Sequence, residues 1–485
     1  MNRRMVFHTV GKIVCIEAFL LLLPTLVSVI YRDGTLIPFL VSIAVALVIG
    51  GSLLWISKPR TRMIYAKEGF AIVALAWILL SAIGALPFFL SREIPNYIDA
   101  FFETVSGFTT TGASIVTDVT ALSKGIIFWR SFTHWVGGMG VLVFVMAIFN
   151  NVSDRSIHIM RAEMPGPIIG KLVPRVKSTA KILYLIYIFM TLTETVILWA
   201  GDMNFFESIV HSLGTAGTGG FGITPNGLAD YSPYSQWVIT AFMLLFGINF
   251  NLYYLLLLRR FKTVFKSSEL WTYLIIVLVA TGVITANIFS LYNGFAEALR
   301  ASAFQVSSII TTTGYSTANF DLWPGLSKAI IFLLMFIGGC AGSTAGGLKV
   351  SRVMIMIKSI GREIRKLLHP RSVNTVKLEG KVLDEATLNN TGAYFIIYMV
   401  IFLIVFLLIS FENFGAGVNM FETNFSAVTA CINNIGPGFG GVGPASSFAA
   451  YSDFSTVILS FTMLLGRLEI FPLLLAMSPS TWSRR

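Results

Sequence analysis

Ten apolar stretches, each long enough to cross a bilayer, restrict this chain to an all-helical, membrane-embedded fold. A helix needs about 20 residues to span about 30 Å of hydrocarbon. The stretches run approximately over residues 13–31, 36–56, 70–90, 125–149, 181–200, 236–258, 270–291, 327–349, 392–411 and 454–477. Only 12% of the 485 residues are charged, where a soluble domain carries about 25%, so most of the surface does not face water. The net charge of +11 sits in short clusters between the apolar stretches. Such clusters suit cytoplasmic loops and anionic lipid, and they argue against a nucleic-acid-binding face. Arg3, Arg4 and Lys12 precede the first stretch, which is long for a signal peptide and has no small-residue cleavage site. Cys15, Cys340 and Cys431 are too widely spaced for a disulfide framework or a zinc site.

Every second loop is basic. Lys58, Arg60, Arg62 and Lys67 follow the second stretch, and Arg155, Arg161, Lys171, Arg175 and Lys177 follow the fourth. Arg259, Arg260, Lys262 and Lys266 follow the sixth, Arg352, Lys358, Arg362, Arg365 and Lys366 the eighth, and the chain ends in Arg484 and Arg485. Basic loops stay inside, which puts both termini in the cytoplasm. The outer loops instead carry Asp99, Glu103, Asp202, Glu207, Asp230, Glu297, Glu422 and Asp453. Four outer loops begin with a helix-like segment too short to span and end in a Gly-containing stretch. Irregular backbone cannot face lipid, so each reads as a half-helix that enters from outside and an extended strand that returns.

The pattern helix, half-helix, Gly loop, helix occurs four times. The copies read FETVSGFTTTGAS, FESIVHSLGTAGTGGFG, FQVSSIITTTGYST and FSAVTACINNIGPGFG, and their turns hold Thr111-Gly112, Thr218-Gly219, Thr313-Gly314 and Ile435-Gly436. Each is followed by a helix with a mid-span glycine: Gly138, Gly247, Gly338 and Gly466. A repeat of this kind predicts four quarters of one ring. An ion entering a low-dielectric path must have its water replaced by other oxygens. Backbone carbonyls do so without net charge, and Gly reaches the dihedrals that aim them one way. The helix dipoles of the half-helices favour a cation at their carboxyl ends. Residues 109–113, 217–220, 311–315 and 433–437 contain no Asp, Glu, Lys or Arg.

These four units resemble the Trk/Ktr/HKT superfamily of potassium and sodium translocation proteins, over nearly the whole chain. The two extra amino-terminal helices are similar to the bacterial TrkH/TrkG branch, and NNIGPGFGGVGP and GGCAGSTAGGLK are the most specific stretches. The resemblance implies two helices over 1–68 and four pore units over 69–178, 179–268, 269–390 and 391–485, pseudo-symmetric around one central pore. It implies a potassium filter at Thr110, Thr111 and Gly112; Thr218 and Gly219; Thr312, Thr313 and Gly314; and Asn434, Ile435 and Gly436. In the family, Ser in place of the first filter Gly accompanies sodium selectivity, so Gly112 favours potassium. It further implies a homodimer, no cofactor beyond the transported ion, and a location in the bacterial inner membrane.

Residues 337–347 hold five glycines within one apolar span, and each costs about 1 kcal/mol against Ala in a helix. Unwinding is expected. The resemblance makes this an intramembrane loop that blocks the path, with gate residues Gly338, Gly339, Gly342, Ser343, Thr344, Gly346, Gly347 and Lys349. Arg467, near the middle of the last stretch, is a functional candidate because charges at that depth are rare; by resemblance it faces the pore beneath the filter. Glu469 lies two residues on, which places it on a different helical face. Lys349 either approaches the gate or snorkels to the inner surface. Glu17 reads as an interfacial carboxylate, Glu194 as a deeper one with no partner to name, and His134 and His211 as packing residues.

Enzyme readings fail on motif. GGCAGSTAGGLK lacks the GK[ST] of a phosphate loop, and Ser343 sits in no nucleophile motif. A secondary transporter is the rival from another class, since broken helices mark those too; a sodium-permeable pore is the second. HPRSVNTVKLEGKVLDE contains a predicted hairpin turning at Glu379-Gly380. The chain has no nucleotide motif, so its basic inner face is expected to dock a separate ring of nucleotide-binding regulatory subunits, TrkA-like by resemblance.

Overall fold

The computed structural model describes residues 1–59, 65–140, 176–371, 374–415 and 417–483. The predicted basic residues Arg60, Arg62, Arg155, Arg161, Lys171, Arg175, Arg484 and Arg485 lie outside them, as does 141–149 of the fourth predicted span.

Helices α1 (Arg3–Leu20) and α2 (Leu22–Tyr31) make one 29-residue span, and α3 (Leu36–Ile56) returns beside it. Gly11 and Gly50 face each other at that crossing, so close that a Cβ on Gly11 would lie 2.9 Å from the Gly50 carbonyl oxygen. Small residues let helices approach this way where lipid supplies no hydrophobic drive. Four successive groups of helices follow. The first is α4 (Ala66–Gly84), α5 (Leu86–Leu90), α6 (Tyr97–Phe108) and α7 (Lys124–Gly138). The second is α8 (Val176–Trp199), α9 (Phe205–Gly217), α10 (Pro233–Phe246) and α11 (Phe250–Leu257), with α12 (Phe261–Phe265) leading on. The third is α13 (Ser268–Ile288), α14 (Phe295–Ile310), α15 (Gly325–Ile337) and α16 (Val350–Leu368). A two-residue hairpin, β1 (Lys377–Leu378) and β2 (Lys381–Val382), turns at Glu379-Gly380 as predicted. The fourth is α17 (Glu385–Ile409), α18 (Met420–Ile432), α19 (Asp453–Arg467) and α20 (Phe471–Met477).

Among the described residues six helical spans are long and apolar enough to cross a membrane, and two bent pairs would bring the number to eight. The predicted spans 236–258 and 454–477 are those pairs. α10 and α11 meet at 88°, and α19 and α20 at 120°. The second bend follows from two successive left-handed residues, Glu469 (φ 56°) and Ile470 (φ 65°). The predicted span 327–349 stops at Ile337, where Gly338 has φ 76°. The glycines read as mid-span therefore sit at helix ends. Their role is close approach: a Cβ on Gly138 would lie 2.7 Å from the Gly217 Cα, one on Gly247 2.7 Å from the Thr311 Cγ2, and one on Gly466 would collide with the Ile432 carbonyl.

Helices α6, α9, α14 and α18 have 12, 13, 16 and 13 residues, about 18–24 Å of rise and too short to span. Asn96, Asn204 and Asn419 cap three of them by accepting backbone N–H groups. All four are buried along most of their length, and their carboxyl ends carry the Gly turns.

Candidate functional site

The four turns are one backbone motif repeated. Thr110, Thr218, Thr312 and Asn434 have φ between 54° and 56° and close their half-helices. The next amide then donates back to the carbonyl five residues earlier: Thr111 to Ser106 (2.8 Å), Gly219 to Gly214 (2.9 Å), Thr313 to Ser308 (2.8 Å) and Ile435 to Ala430 (2.9 Å). This is a Schellman cap, which Gly usually provides. A β-branched Thr in the left-handed region is strained, by about 1–3 kcal/mol, and such strain gathers at functional sites. One residue further, Gly112, Gly220, Gly314 and Gly436 have φ of 79°, 74°, 85° and 100°. In the second turn Gly220 thus stands where Gly112 stands, and Gly219 where Thr111 does. Pairing Thr218-Gly219 with Thr111-Gly112 is off by one, because the GTGG run offers two glycines and only the backbone decides between them.

The turns close on one another. A Cβ on Gly112 would collide with the Gly219 carbonyl oxygen, one on Gly220 with that of Thr313, one on Gly314 with that of Ile435, and one on Gly436 would lie 2.8 Å from that of Thr111. The circuit runs from the first turn to the second, third, fourth and back. It brings four equivalent carbonyls together, those of Thr111, Gly219, Thr313 and Ile435, each from a different segment. The four positive-φ glycines line one cavity of about 340 Å3, whose one charged lining residue among those described is Arg130.

Side chains brace the circuit from behind. The Thr109 and Thr111 hydroxyls pair at 2.7 Å, and those of Thr311 and Thr313 at 2.8 Å. Asn434 Nδ2 donates to the Thr111 hydroxyl (2.9 Å) and the Met463 carbonyl (2.9 Å). His134 packs against Gly219, holds the Gly107 carbonyl through Nδ1 (2.8 Å) and lies 4.2 Å from the Phe221 ring. His211 sits edge-on to Tyr315, whose hydroxyl donates to the His211 carbonyl. Both histidines are buried packing groups.

Sequence reasoning missed the strongest brace. Glu103, read as an outer-loop acid, is fully buried and bonded to Arg130 Nε at 2.6 Å. Its carboxylate also accepts from the Ile115 amide (3.0 Å). Arg130 reaches the Ser114 hydroxyl (3.0 Å) and the Gly222 carbonyl (3.3 Å), with its guanidinium 3.9 Å from the Phe221 ring centre. One cation thereby ties the strands leaving the first and second turns. The two residues are 27 apart, with no local pattern to pair them.

Beneath the turns lies the stretch from Gly338 to Lys349, unwound as expected. Gly346 donates to the Thr312 hydroxyl (2.6 Å), and Gly347 to the Asn433 carbonyl (3.0 Å). The Gly342 carbonyl accepts from Phe250, and Cys340 donates to the Gly247 carbonyl, both at 3.0 Å. The stretch therefore bridges the third and fourth turns and the break between α10 and α11. Arg467 is the last residue of α19, not mid-helix. It donates to the Thr344 carbonyl (2.9 Å) and to those of Gly137 (2.6 Å) and Gly138 (2.7 Å). Glu469 lies past the helix end and pairs with Arg352, whose guanidinium is 4.1 Å from the Tyr394 ring. Lys349 is buried and donates to the Ala345 carbonyl; it does not snorkel. Ser343 bonds the Cys340 carbonyl (2.6 Å).

Glu17 is buried, because α1 begins at Arg3 and carries it about 21 Å inward. Glu194 is buried too, with the Thr215 hydroxyl as its near polar neighbour; that hydroxyl also donates to the His211 carbonyl.

The family model described as a cation transport protein, TrkH, matches residues 37–484. The "Trk system potassium uptake protein TrkH" of Salmonella typhimurium is 37% identical over 489 residues, covering 99% of this chain and all of the relative. The "Trk system potassium uptake protein TrkG" of Escherichia coli is 33% identical, over 99% of this chain and 98% of its own length. The crystal structure of the potassium transporter TrkH from Vibrio parahaemolyticus superposes with a TM-score of 0.88 and 32% identity, covering both chains completely.

Proposed function

Because this chain belongs to the TrkH family of cation transport proteins, we propose that it takes up potassium ions through the opening encircled by the carbonyls of Thr111, Gly219, Thr313 and Ile435. It is a multi-pass membrane protein, and its function is transport rather than catalysis. The closed circuit of the four turns carries the reading. Four unstrung carbonyl ends, from segments about a hundred residues apart, meet with no carboxylate among them, which suits a weakly held, desolvated monovalent cation.

In this reading the filter comprises Thr110–Gly112, Thr218–Gly220, Thr312–Gly314 and Asn434–Gly436. The units 69–178, 179–268, 269–390 and 391–485 stand pseudo-symmetrically around it, with 1–68 packed outside. Both termini and the basic segments face the cytoplasm of a bacterial inner membrane, with ten crossings once each bent or unwound segment is taken as one. The stretch Gly338–Lys349 closes the path and Arg467 holds it shut: its guanidinium spans the stretch and α7, and its fixed charge repels a cation. A soluble nucleotide-binding ring docks on the inner face, and the protein works as a homodimer with one pore per chain. Potassium flux into liposomes containing only this protein tests the core claim. Arg467→Ala should raise basal rubidium flux about tenfold, since several charge-assisted bonds are lost; unchanged flux at normal protein level counts against the barrier.

The buried carboxyl of Glu194 beside the second half-helix supports a second reading, flux coupled to protons. The same liposomes under an imposed proton gradient separate the two. Flux that follows the potassium gradient alone excludes coupling.

A further inference from the structure

Glu269 lies in the first turn of α13 and is 8% exposed. Its Oε1 accepts the amide of Ala341 (2.8 Å) and the amide of Ser351 (3.2 Å). Those amides bracket residues 342–350, which are most of the unwound stretch, one just past Cys340 and the other in the first turn of α16. Between them lie Thr344, whose carbonyl takes Arg467, and Gly346 and Gly347, which reach the third and fourth turns. A single carboxylate oxygen on a neighbouring helix thus fixes both ends of residues 341–351.

The turn that carries Glu269 is itself held from outside the bundle. Glu379 Oε1 accepts the amide of Glu269 (3.0 Å) and the hydroxyls of Ser268 (3.1 Å) and Ser267 (3.2 Å). A carboxylate on these groups caps α13 and matches its dipole. Glu379 is the tip of the β1–β2 hairpin, and the hairpin rests on α16 through Lys358, which donates to the Lys377 carbonyl (2.9 Å). Leu378 and Val376 bury its inner face, while Lys377, Lys381 and Val382 stay exposed.

We propose that Glu379 and Glu269 form a two-carboxylate linkage that sets the position of the Gly338–Lys349 stretch from the hairpin at 377–382. Glu269 is a positioning residue: it holds the barrier in register without touching the ion. Moving the hairpin tip shifts the first turn of α13, and with it the oxygen that both flanking amides share. The linkage rests on the reading of that stretch as the barrier, and it gives an exposed cytoplasmic element a route to the pore. Nothing in the filter needs to move.

Basal rubidium flux through the full-length protein in liposomes tests it. Glu269→Ala should raise flux about tenfold, because two bonds to a charged acceptor vanish together. Glu269→Gln keeps an acceptor oxygen and should stay near the parent, whereas Glu269→Met keeps the volume without the oxygen and should leak like Glu269→Ala, which a purely packing role would not predict. Glu379→Ala should raise flux about threefold, and the double variant should leak no more than Glu269→Ala, as expected of groups in series. The rubidium-to-sodium ratio should match the parent in every case. Parent-like flux in Glu269→Ala and Glu379→Ala, with Arg467→Ala leaking, overturns the linkage and leaves the barrier standing. Parent-like flux in all three overturns the barrier reading itself. Multiplying effects in the double variant also overturn the linkage, as does a changed ion ratio. If Glu269→Ala fails to reach the membrane, the exposed Glu379→Ala decides alone: raised flux supports the linkage and parent-like flux overturns it.

Discussion

The four Gly turns and the Gly338–Lys349 stretch are both glycine-rich and both built from bare backbone, yet they are held by different means. Each turn repeats the same dihedrals, is capped by its own half-helix and leans on the carbonyl of the next turn. The stretch below has no such regularity. Besides backbone bonds to Gly247, Phe250 and Asn433, it hangs from single side chains on other elements: Arg467, Glu269 and the Thr312 hydroxyl. A closed circuit shares any load among four members, whereas a strap on a few pegs moves when one peg is pulled. In the proposed function, selectivity rests on the first arrangement and opening on the second.

The largest effect should come from the brace behind the turns. Arg130→Met leaves Glu103 buried without its cation, a loss of about 3–5 kcal/mol. The melting temperature of the solubilised protein should fall sharply. Replacing Glu103 by Leu in the same chain should restore most of it, since a buried pair exchanged for apolar groups is nearly neutral. The rubidium-to-sodium ratio should stay low in that double variant, because Ser114 and Gly222 have lost their tie. A restored ratio would reduce Arg130 to a stability element and weaken the contrast with the strap.

Next in size is Gly112→Ser. Its side chain must displace the Gly219 carbonyl, an overpacking cost of about 1–3 kcal/mol. Sodium uptake should rise roughly tenfold relative to rubidium, with basal leak unchanged. A variant that leaks without losing selectivity would mean that turns and strap are not separate devices. The smallest effect should come from Thr312→Val, which removes the acceptor of the Gly346 amide, worth about 1 kcal/mol. It should raise basal flux about threefold with the ion ratio intact. A changed ratio would show that this hydroxyl serves the turn more than the strap.

How much of this could be read from the sequence depended on whether the signal was local. The turns were legible because positive φ calls for Gly, and Gly112, Gly314 and Gly436 announce themselves beside Thr or Ile. Arg467 was legible because a charge inside an apolar run is rare. The hairpin was legible from Glu379-Gly380. Hidden from the sequence were groups whose meaning depends on a distant partner: Glu103 with Arg130, Glu469 with Arg352, Glu269 with two amides of the strap. The breaks after Phe246 and Arg467 were hidden too. Ile470 is an unremarkable apolar residue in the chain, and only in space does its left-handed φ turn α20 by 120°. The second turn was misplaced by one residue because local sequence cannot rank two adjacent glycines.

All four corners of the proposed filter come from one polypeptide, and three use Thr where the fourth uses Asn434. A codon change in a ring of identical subunits strikes every corner at once. Here it strikes one, so the aperture can be adjusted in quarter steps, and a variant that would abolish a symmetric assembly can survive as a mild one. Asn434, whose amide crosses to Thr111, is the one corner of the four that already differs from the others.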